Sequence, residues 1–400
     1  MIHTTRFAPV LGLGLCRGLA LVSLGAVVSL GACGDNARGL PDAPPPPPPS
    51  RAVIVAGDFT PGHPGILTTL DPELRVMQRN AGPAMAVGND PILRRIGREL
   101  LIVNRGENNV TILDDQTLAF KEQLGTGEGS NPQDVAVVGD KLYVATFLGR
   151  GLTVLSRGST ARGVIDLSAD DADGEPNCNS VFVVGTRLFV SCELFDPTFT
   201  PRGPGKIYVV DTATNTLVPE LTVTLGHENP FGLFEQIPDG APNAGDLLIA
   251  TIGRFPIDLA AGCIERVTTS GAPVAMGCVL QNTAVGGFPT RIAFAIESGL
   301  SMMWTAISVP QPPANPDDFP PPLGDLRGFD LVAGSLWEPA INPRSQNIAD
   351  VAYCPSGQTV VVDSTTNANG LRVYQSTTEQ TAAPLPIGLG FFSSHGLVCY

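Results

Sequence analysis

Short apolar runs alternate with glycine-centred turns along most of the chain, which is the pattern of an all-β protein. In one copy, residues 134–138 and 141–146 are rich in Val, Leu and Tyr and are separated by the turn at 139–140. A third run, 151–155, follows a polar loop, and an equivalent series begins at Ser180. Such runs joined by two-residue turns predict β-hairpins.

This strand unit recurs, and its period indicates the fold. Six copies open near Pro91, Pro132, Pro176, Pro230, Pro289 and Asn347. The spacing of about 40 to 60 residues is typical of β-propeller blades. We predict fourth strands after the third, for example at 217–225 and 273–280, and insertions between second and third strands at 195–205 and 309–324. The least regular blade is the one at 288–343.

The two ends of the domain complete each other. Residues 51–59, 66–71 and 74–79 are predicted to be the second, third and fourth strands of a blade without a first strand. Residues 395–400 form a first strand with nothing after it. Pairing of these ends removes exposed strand edges. We therefore predict a seven-bladed β-propeller of four-stranded antiparallel blades, closed by its N- and C-terminal strands.

Several segments resemble a known repeat. Residues 101–104 (LIVN), 142–146 (LYVAT) and 207–214 (IYVVDTAT) are similar to the YVTN-type β-propeller repeat, and Asn131 and Asn229, each followed by proline, match the Asn-Pro that often opens it. The resemblance covers most of residues 51–400. It implies the fold but not the function, because propellers serve as both binding proteins and enzymes.

The N-terminal segment has the form of an export signal. Arg6 and Arg17 flank an uncharged stretch at 18–30, which is shorter than the roughly 20 residues of a membrane-spanning helix. The stretch ends in Leu-Gly-Ala-Cys at Cys33 and resembles the lipobox of bacterial lipoproteins. The alternative is an ordinary secretory signal with a chance cysteine.

The lipobox resemblance implies cleavage before Cys33 and lipid, including palmitate, attached to it. Gly34, at the position that sorts bacterial lipoproteins, implies anchoring in the outer membrane, facing either the periplasm or the cell surface. We expect a signal peptide at 1–32, a proline-rich linker at 33–50, and the propeller at 51–400. The proline run at 44–49 favours a semi-rigid polyproline II spacer.

Six cysteines remain outside Cys16 of the signal and the anchor: Cys178, Cys192, Cys263, Cys278, Cys354 and Cys399. An even number of cysteines in an exported chain predicts disulfides. Free buried thiols are the alternative reading. Their spacing is not that of a zinc site.

The hairpin register predicts which cysteines pair. Around the turn at 270–271, Cys263 and Cys278 are expected to face each other directly, within reach of a disulfide. Cys178 and Cys192 flank the turn at 185–186 with an offset of one residue, which a small bulge accommodates.

The last pair, Cys354 and Cys399, follows by elimination. Both are placed on innermost strands, of the last and the first blade, which are neighbours once the ring closes. This disulfide would join the last blade covalently to the first and so hold the ring closed. Closing a loop of about 45 residues is worth roughly 4 kcal/mol of chain entropy.

Charge narrows the range of partners. The formal net charge is −14, and lysine is scarce. The basic surface of a nucleic-acid-binding protein is therefore absent, and acidic polymers are poor candidate ligands. We expect a monomer whose partners are membrane lipid, through Cys33, and an envelope protein or glycan of unknown identity.

Ligands of propellers usually bind at one mouth of the central channel, between the loops that enter first strands and those that leave second strands. The candidate binding residues on the entering side are Asp90, His227, Glu228, Asn229, Arg291 and His395, accompanied by Asn131, Asn177 and Asn347. The leaving loops hold Asp58, His63, Asn104, Arg105, Glu107, Arg150, Glu193, Arg254 and Asp363.

Metal chemistry at this mouth is a weaker hypothesis. His63, His227 and His395 map to the same face, where Asp58, Glu228 or Asp363 would add oxygen ligands. The plainer interpretation is that polar residues occupy surface loops. A channel calcium site near Asp134 and Asp350 is a further option, although loops with EF-hand spacing are missing.

Function is less determined than fold. The chain lacks HExxH, Gly-x-Ser-x-Gly and phosphate-loop motifs. We expect a non-enzymatic binding or interaction module without a cofactor. The alternative is a metal- or quinone-dependent enzyme of lactonase or dehydrogenase type, with its site at the channel mouth.

Overall fold

Seven antiparallel sheets follow one another along the chain in a computed structural model. The structure describes residues 50–254, 258–297, 300–311, 321–337, 340–341, 346–390 and 394–400. The predicted signal peptide, Cys33 and the linker up to residue 49 lie outside the described residues. Within the described ranges, no helix has the length and apolar character needed to cross a membrane.

We number the blades 1 to 7 from the N-terminus. The strands of the first three blades are β1 (Ala52–Gly57), β2 (Ile66–Asp71), β3 (Val76–Gln78), β4 (Pro91–Ile96), β5 (Glu99–Asn104), β6 (Asn109–Asp114), β7 (Phe120–Gly125), β8 (Pro132–Val138), β9 (Lys141–Thr146), β10 (Gly151–Ser156) and β11 (Arg162–Asp166). Those of blades 4 and 5 are β12 (Cys178–Val184), β13 (Arg187–Cys192), β14 (Pro204–Asp211), β15 (Thr216–Leu217), β16 (Val223–Glu228), β17 (Glu235–Gln236), β18 (Leu247–Ala250), β19 (Cys263–Val267) and β20 (Ala275–Gln281).

The remaining strands are β21 (Phe288–Glu297), β22 (Leu300–Val309), β23 (Leu323–Asp330), β24 (Ser335–Trp337), β25 (Ile348–Tyr353), β26 (Gln358–Asp363), β27 (Gly370–Gln375), β28 (Thr378–Glu379) and the C-terminal β29 (Ser394–Cys399). The helices among the described residues are short: one α-helical turn, α1 (Asn282–Val285), and three 3₁₀ turns at Ser168–Asp170, Pro219–Leu221 and Leu259–Ala261. Six blades are formed by consecutive strands, and blade 1 has the order β29-β1-β2-β3.

The ring closes as the sequence predicts. Strand β29 pairs antiparallel with β1, so that Ala52 lies opposite Cys399 and Gly57 opposite Ser394. Backbone hydrogen bonds between Arg51 and Tyr400 extend the ladder by one pair. The all-β, seven-bladed prediction is confirmed. The protein is a seven-bladed β-propeller.

The core is divided into seven clusters, and each lies between two neighbouring blades. The cluster between blades 3 and 4, for example, includes Tyr143 and Val190, both fully buried. Blades 7 and 1 pack through a cluster that includes Ile54 and Val362. Each large apolar side chain buried in this way contributes about 1.5–3 kcal/mol. Cohesion is therefore distributed around the ring, and each blade depends on both neighbours.

All three predicted disulfides are present: Cys178–Cys192, Cys263–Cys278 and Cys354–Cys399. The register predicted for the second pair is wrong, because Cys263 lies opposite Gln281 and Cys278 opposite Glu265. Gly277 adopts φ 80°, in the left-handed region, where the pairing of β19 with β20 is irregular. Such a bulge displaces the register, and the bridge spans the two strands diagonally.

Blade 4 departs from the predicted single fourth strand at 217–225. That segment is split into β15 and β16, which both pair with β14. The 3₁₀ turn that begins at Pro219 separates them, because proline cannot donate a ladder hydrogen bond. Strand β16 continues to Glu228 and therefore contains residues that the sequence assigned to a mouth loop.

Candidate functional site

A cavity of about 850 Å³ occupies the mouth of the channel where first strands begin and second strands end. All seven blades contribute to its wall. Its volume lies within the range of small-molecule binding sites, about 300–1,000 Å³.

The same backbone hydrogen bond fixes the wall in five blades. The residue that leaves the second strand donates its N–H to the carbonyl of the residue that enters the first. These pairs are Arg105–Asp90, Phe147–Asn131, Glu193–Asn177, Ile252–Asn229 and Ser364–Asn347, with N···O distances of 2.8–3.1 Å. Equivalent backbone positions therefore carry side chains that differ in charge and polarity from blade to blade.

Ion-paired side chains line a second, smaller cavity of about 300 Å³. Arg94 on β4 donates two hydrogen bonds, 2.7 and 2.8 Å long, to Asp134 on β8, and lies 3.3 Å from Glu235 on β17. Ser180 on β12 donates to the same Asp134 carboxylate, at 2.8 Å. Burial raises the pKa of Glu235, against the opposing effect of Arg94. Four innermost strands are thereby connected through polar side chains.

A second ion pair also lines the smaller cavity. Arg291 on β21 lies 3.3 Å from Asp350 on β25, which also accepts a hydrogen bond from Leu397 N on β29 at 3.1 Å. Among the described residues, Arg291 alone lines both cavities. Asp134 and Asp350, considered above as calcium ligands, are thus buried and paired with arginines.

The structure brings four of the six candidate binding residues to the mouth cavity: Asp90, Asn229, Arg291 and His395. Asp90 forms an ion pair with Arg105, and Arg105 also donates to Ser394 on β29, at 3.1 Å. His395 is buried, and this burial lowers its pKa.

The other two candidates, His227 and Glu228, lie on β16 and do not line the cavity. Their expected loop position is wrong, because the ladder with β14 extends to Glu228, opposite Pro204. The Nδ1 atom of His227 is 2.9 Å from the buried carboxylate of Glu265 in blade 5. Glu228 pairs instead with Arg254, at 2.6 Å.

The three histidines occupy different surroundings. His63 is 64% exposed and lies 3.6 Å from Asp58, whereas His395 faces the cavity. His227 has its ligand atoms within 4.8 Å of those of Cys263 and Cys278, but these two sulfurs are bonded to each other. A disulfide offers no thiolate to a metal. Asp363, an oxygen ligand considered above, pairs with Arg372 at 2.7 Å.

Aromatic side chains are the main feature that sequence reasoning missed. Of the described residues, five phenylalanines line the cavity: Phe59, Phe147, Phe195, Phe231 and Phe288. The rings of Phe147 and Phe195 are 6.1 Å apart, and both are within 6.3 Å of Phe199 on the insertion after β13. A pattern-based signal existed, since Phe147 and Phe195 follow second strands directly or within three residues.

Asn177 holds part of this wall together. Its Oδ1 accepts a hydrogen bond from Phe195 N at 3.0 Å, and its Nδ2 donates to the carbonyl of Phe147 at 3.1 Å. Its own carbonyl accepts from Glu193 N at 3.0 Å. Asn177 has φ 53°, a left-handed conformation that asparagine adopts more readily than most residues.

Two buried polar side chains in the cavity wall have no partner among the residues that the structure describes. The carboxyl of Glu193 is 3% exposed, and it makes neither a hydrogen bond nor an ion pair with any residue that the structure describes. Burial alone raises its pKa well above the usual value. Asn229 is 1% exposed, and neither atom of its side-chain amide finds a hydrogen-bond partner in the described chain.

Comparison with known proteins supports the fold. No protein-family model and no curated protein matches the sequence. Among solved structures, the chain is similar to the β-propeller domain of Cps50 (Swd1) from Myceliophteria thermophila, with 12% identity, a TM-score of 0.55, and coverage of 78% of this chain and 89% of that one. A putative 6-phosphogluconolactonase from Bacteroides uniformis gives 11% identity, a TM-score of 0.55, and coverage of 85% and 98%. At these identities the likeness shows the fold alone.

Proposed function

We propose that the propeller is a binding module whose ligand site is the mouth cavity. One observation carries this proposal: an open cavity of about 850 Å³ combines phenylalanine rings with buried polar groups that have no partner in the described part of the chain. Binding sites for small molecules have this composition, with apolar walls for affinity and a few polar groups for orientation.

The rim offers a direct test of this site. Phe59 and Phe231 line the cavity and are 48% and 43% exposed, so truncating them removes ligand contacts at little cost to the fold. Uncharged aromatic fragments such as 2-phenylethanol, followed by ligand-observed NMR with the full-length protein, should bind the wild type. Binding should fall at least five-fold in Phe59→Ala/Phe231→Ala.

Phe120→Ala is the matched control, because Phe120 is 55% exposed but lies on β7, outside the cavity wall. Its affinity for the fragments should equal that of the wild type. Equal fragment binding by all three proteins, or by none, would contradict the proposed site. A stoichiometric divalent ion in the purified protein, together with metal-dependent turnover, would instead favour the enzyme alternative.

We also propose that the module is a lipoprotein held at the outer membrane through Cys33. The lipobox-like sequence and the proline-rich linker support this anchor. The Cys33→Ser protein should move from the detergent phase to the aqueous phase in Triton X-114 partitioning. Cys16→Ser should leave partitioning unchanged; an unaltered Cys33→Ser protein would exclude the anchor.

A further inference from the structure

The charges around the mouth cavity are balanced except at one position. Asp90 is paired with Arg105, and Arg291 with Asp350. Glu193 faces the same cavity from the end of β13, and no basic side chain in the described parts of the chain forms an ion pair with it. Keeping an isolated carboxylate out of water is unfavourable unless a partner compensates its charge. A ligand is a natural source of that compensation.

The surroundings of Glu193 favour a particular kind of partner. Asn177 binds the backbone of Phe147, Glu193 and Phe195, so these three cavity-lining residues are neighbours in the wall. Aromatic faces attract cations, and the attraction is stronger where water is excluded. The apolar rings also provide surface for a hydrocarbon body.

We propose that Glu193 is the anionic subsite of the mouth cavity and binds the ammonium group of an organic cation whose apolar part packs against the phenylalanine rings. The inference rests on the proposed binding function and names its ligand class. The strongly negative net charge of the chain, −14, favours the approach of cations over anions. The amide of Asn229, in the same wall, has an oxygen that is available to accept a second hydrogen bond from the ligand.

A simple metal ion fits this position less well. Calcium and magnesium require six or more oxygen ligands, supplied by several carboxylates, carbonyls or waters. Glu193 provides one carboxylate, and its neighbours Phe147 and Phe195 provide none. A neutral ligand with a carbonyl group would instead use protonated Glu193 as a hydrogen-bond donor, and the two cases respond differently to removal of the charge.

The test compares three probes of similar shape by calorimetry on the full-length protein: 2-phenylethylamine, which is cationic at pH 7, neutral 2-phenylethanol and anionic phenylacetate. The wild type should bind the amine at least ten-fold more tightly than the alcohol, and phenylacetate least. Glu193→Gln keeps the shape but removes the charge. It should weaken amine binding at least ten-fold, or about 1.4 kcal/mol, and change alcohol binding less than two-fold.

Glu175→Gln is the matched control, since Glu175 is an exposed residue of the loop before blade 4 and lies outside the cavity wall. It should bind all three probes as the wild type does. Amine affinity that is equal in Glu193→Gln and wild type would overturn the anionic subsite. The same holds for an alcohol that binds more tightly than the amine.

The two proposals fail in different ways. If binding of the alcohol depends on Phe59 and Phe231 while Glu193→Gln leaves the affinity for the amine unchanged, the cavity is a ligand site and only the assignment of a cationic ligand is wrong. If no probe binds the wild type, both are wrong.

Discussion

At the scale of single residues, the cavity wall shows how one backbone position acquires different chemistry. The residue leaving the second strand is Arg105 in blade 2, Phe147 in blade 3 and Glu193 in blade 4, each fixed by the same hydrogen bond. The sequence placed Glu193 in a mouth loop. It could not reveal that the carboxyl is buried without a partner, because burial there depends on side chains from other blades.

The stability of the protein should depend on pH through Glu193. Burial raises the pKa of this carboxyl in the folded state, so the folded protein holds the proton more tightly than the unfolded chain. The contribution of Glu193 to stability is complete below the ordinary glutamate pKa of about 4.3 and is lost as pH rises through the folded-state pKa. Glu193→Gln should therefore melt higher than the wild type at pH 8 and nearly the same at pH 4.

Thermal unfolding followed by circular dichroism at a series of pH values checks this. Glu175→Gln, at an exposed site, should track the wild type throughout. A difference between Glu193→Gln and wild type that is constant with pH would show that the carboxyl titrates normally.

At the scale of strands and blades, β16 is the element that the sequence predicted least well. Its apolar residues were recognised, but the break at Pro219 and the extension to Glu228 depend on how the segment pairs with β14, which the residues of the segment do not encode by themselves. The same limitation applies to the bulge at Gly277, where a positive φ changes the register of a hairpin whose ends were correctly placed. Strand existence follows from local pattern, whereas register follows from partners.

Glu265 should hold β16 against blade 5. Its buried carboxylate accepts hydrogen bonds from Gly226 N at 2.8 Å and His227 N at 3.0 Å, and contacts His227 Nδ1 at 2.9 Å. Glu265→Gln places an amide N–H₂ group against these donors. Each charge-assisted bond is worth about 1.5–3 kcal/mol, so we expect a loss of at least that amount in urea unfolding.

Glu228→Gln, on β16 itself, provides the comparison. Its ion pair with Arg254 is solvent-exposed on the arginine side, at 56%, and pairs of this kind contribute about 0–1 kcal/mol. Similar losses in both variants would show that Glu265 has no special role in joining blades 4 and 5.

At the scale of the whole molecule, the ring was predictable because the same hairpin pattern recurs in blade after blade. In addition, the incomplete sets of strands at the two ends of the domain together form one blade, as the pairing of β1 with β29 confirms. The cysteines gave independent support, since Cys354 and Cys399 are reasonable partners only in a closed ring. The cavity was harder to predict, because its phenylalanines come from different blades and only some of them, such as Phe147 and Phe195, follow second strands closely.

The Cys354–Cys399 disulfide should stabilise this closure. It joins the end of the innermost strand of blade 7 to β29 across a sequence separation of 45 residues. Replacing both cysteines by alanine should lower the free energy of unfolding by roughly 4 kcal/mol. Amide hydrogens of β29 should also exchange faster in native-state hydrogen exchange.

The Cys178→Ala/Cys192→Ala protein is the control, because that bridge lies within blade 4 and spans only 14 residues. It should lose stability without faster exchange in β29. Unchanged protection of β29 after removal of the Cys354–Cys399 bridge would mean that the strand ladder alone keeps the ring shut.

Ser394 Oγ donates a hydrogen bond to the carbonyl of Pro91, a residue 303 positions earlier in the chain. A ribosome adding about 5–20 residues per second needs roughly 15 to 60 s to make that stretch. During this time the inner edge of β1 has no partner, and Ser394 and His395 cannot yet contribute to the cavity. Nascent chains should consequently need protection against edge-to-edge association, and the ability to hold a ligand should be acquired only in the last step of biogenesis.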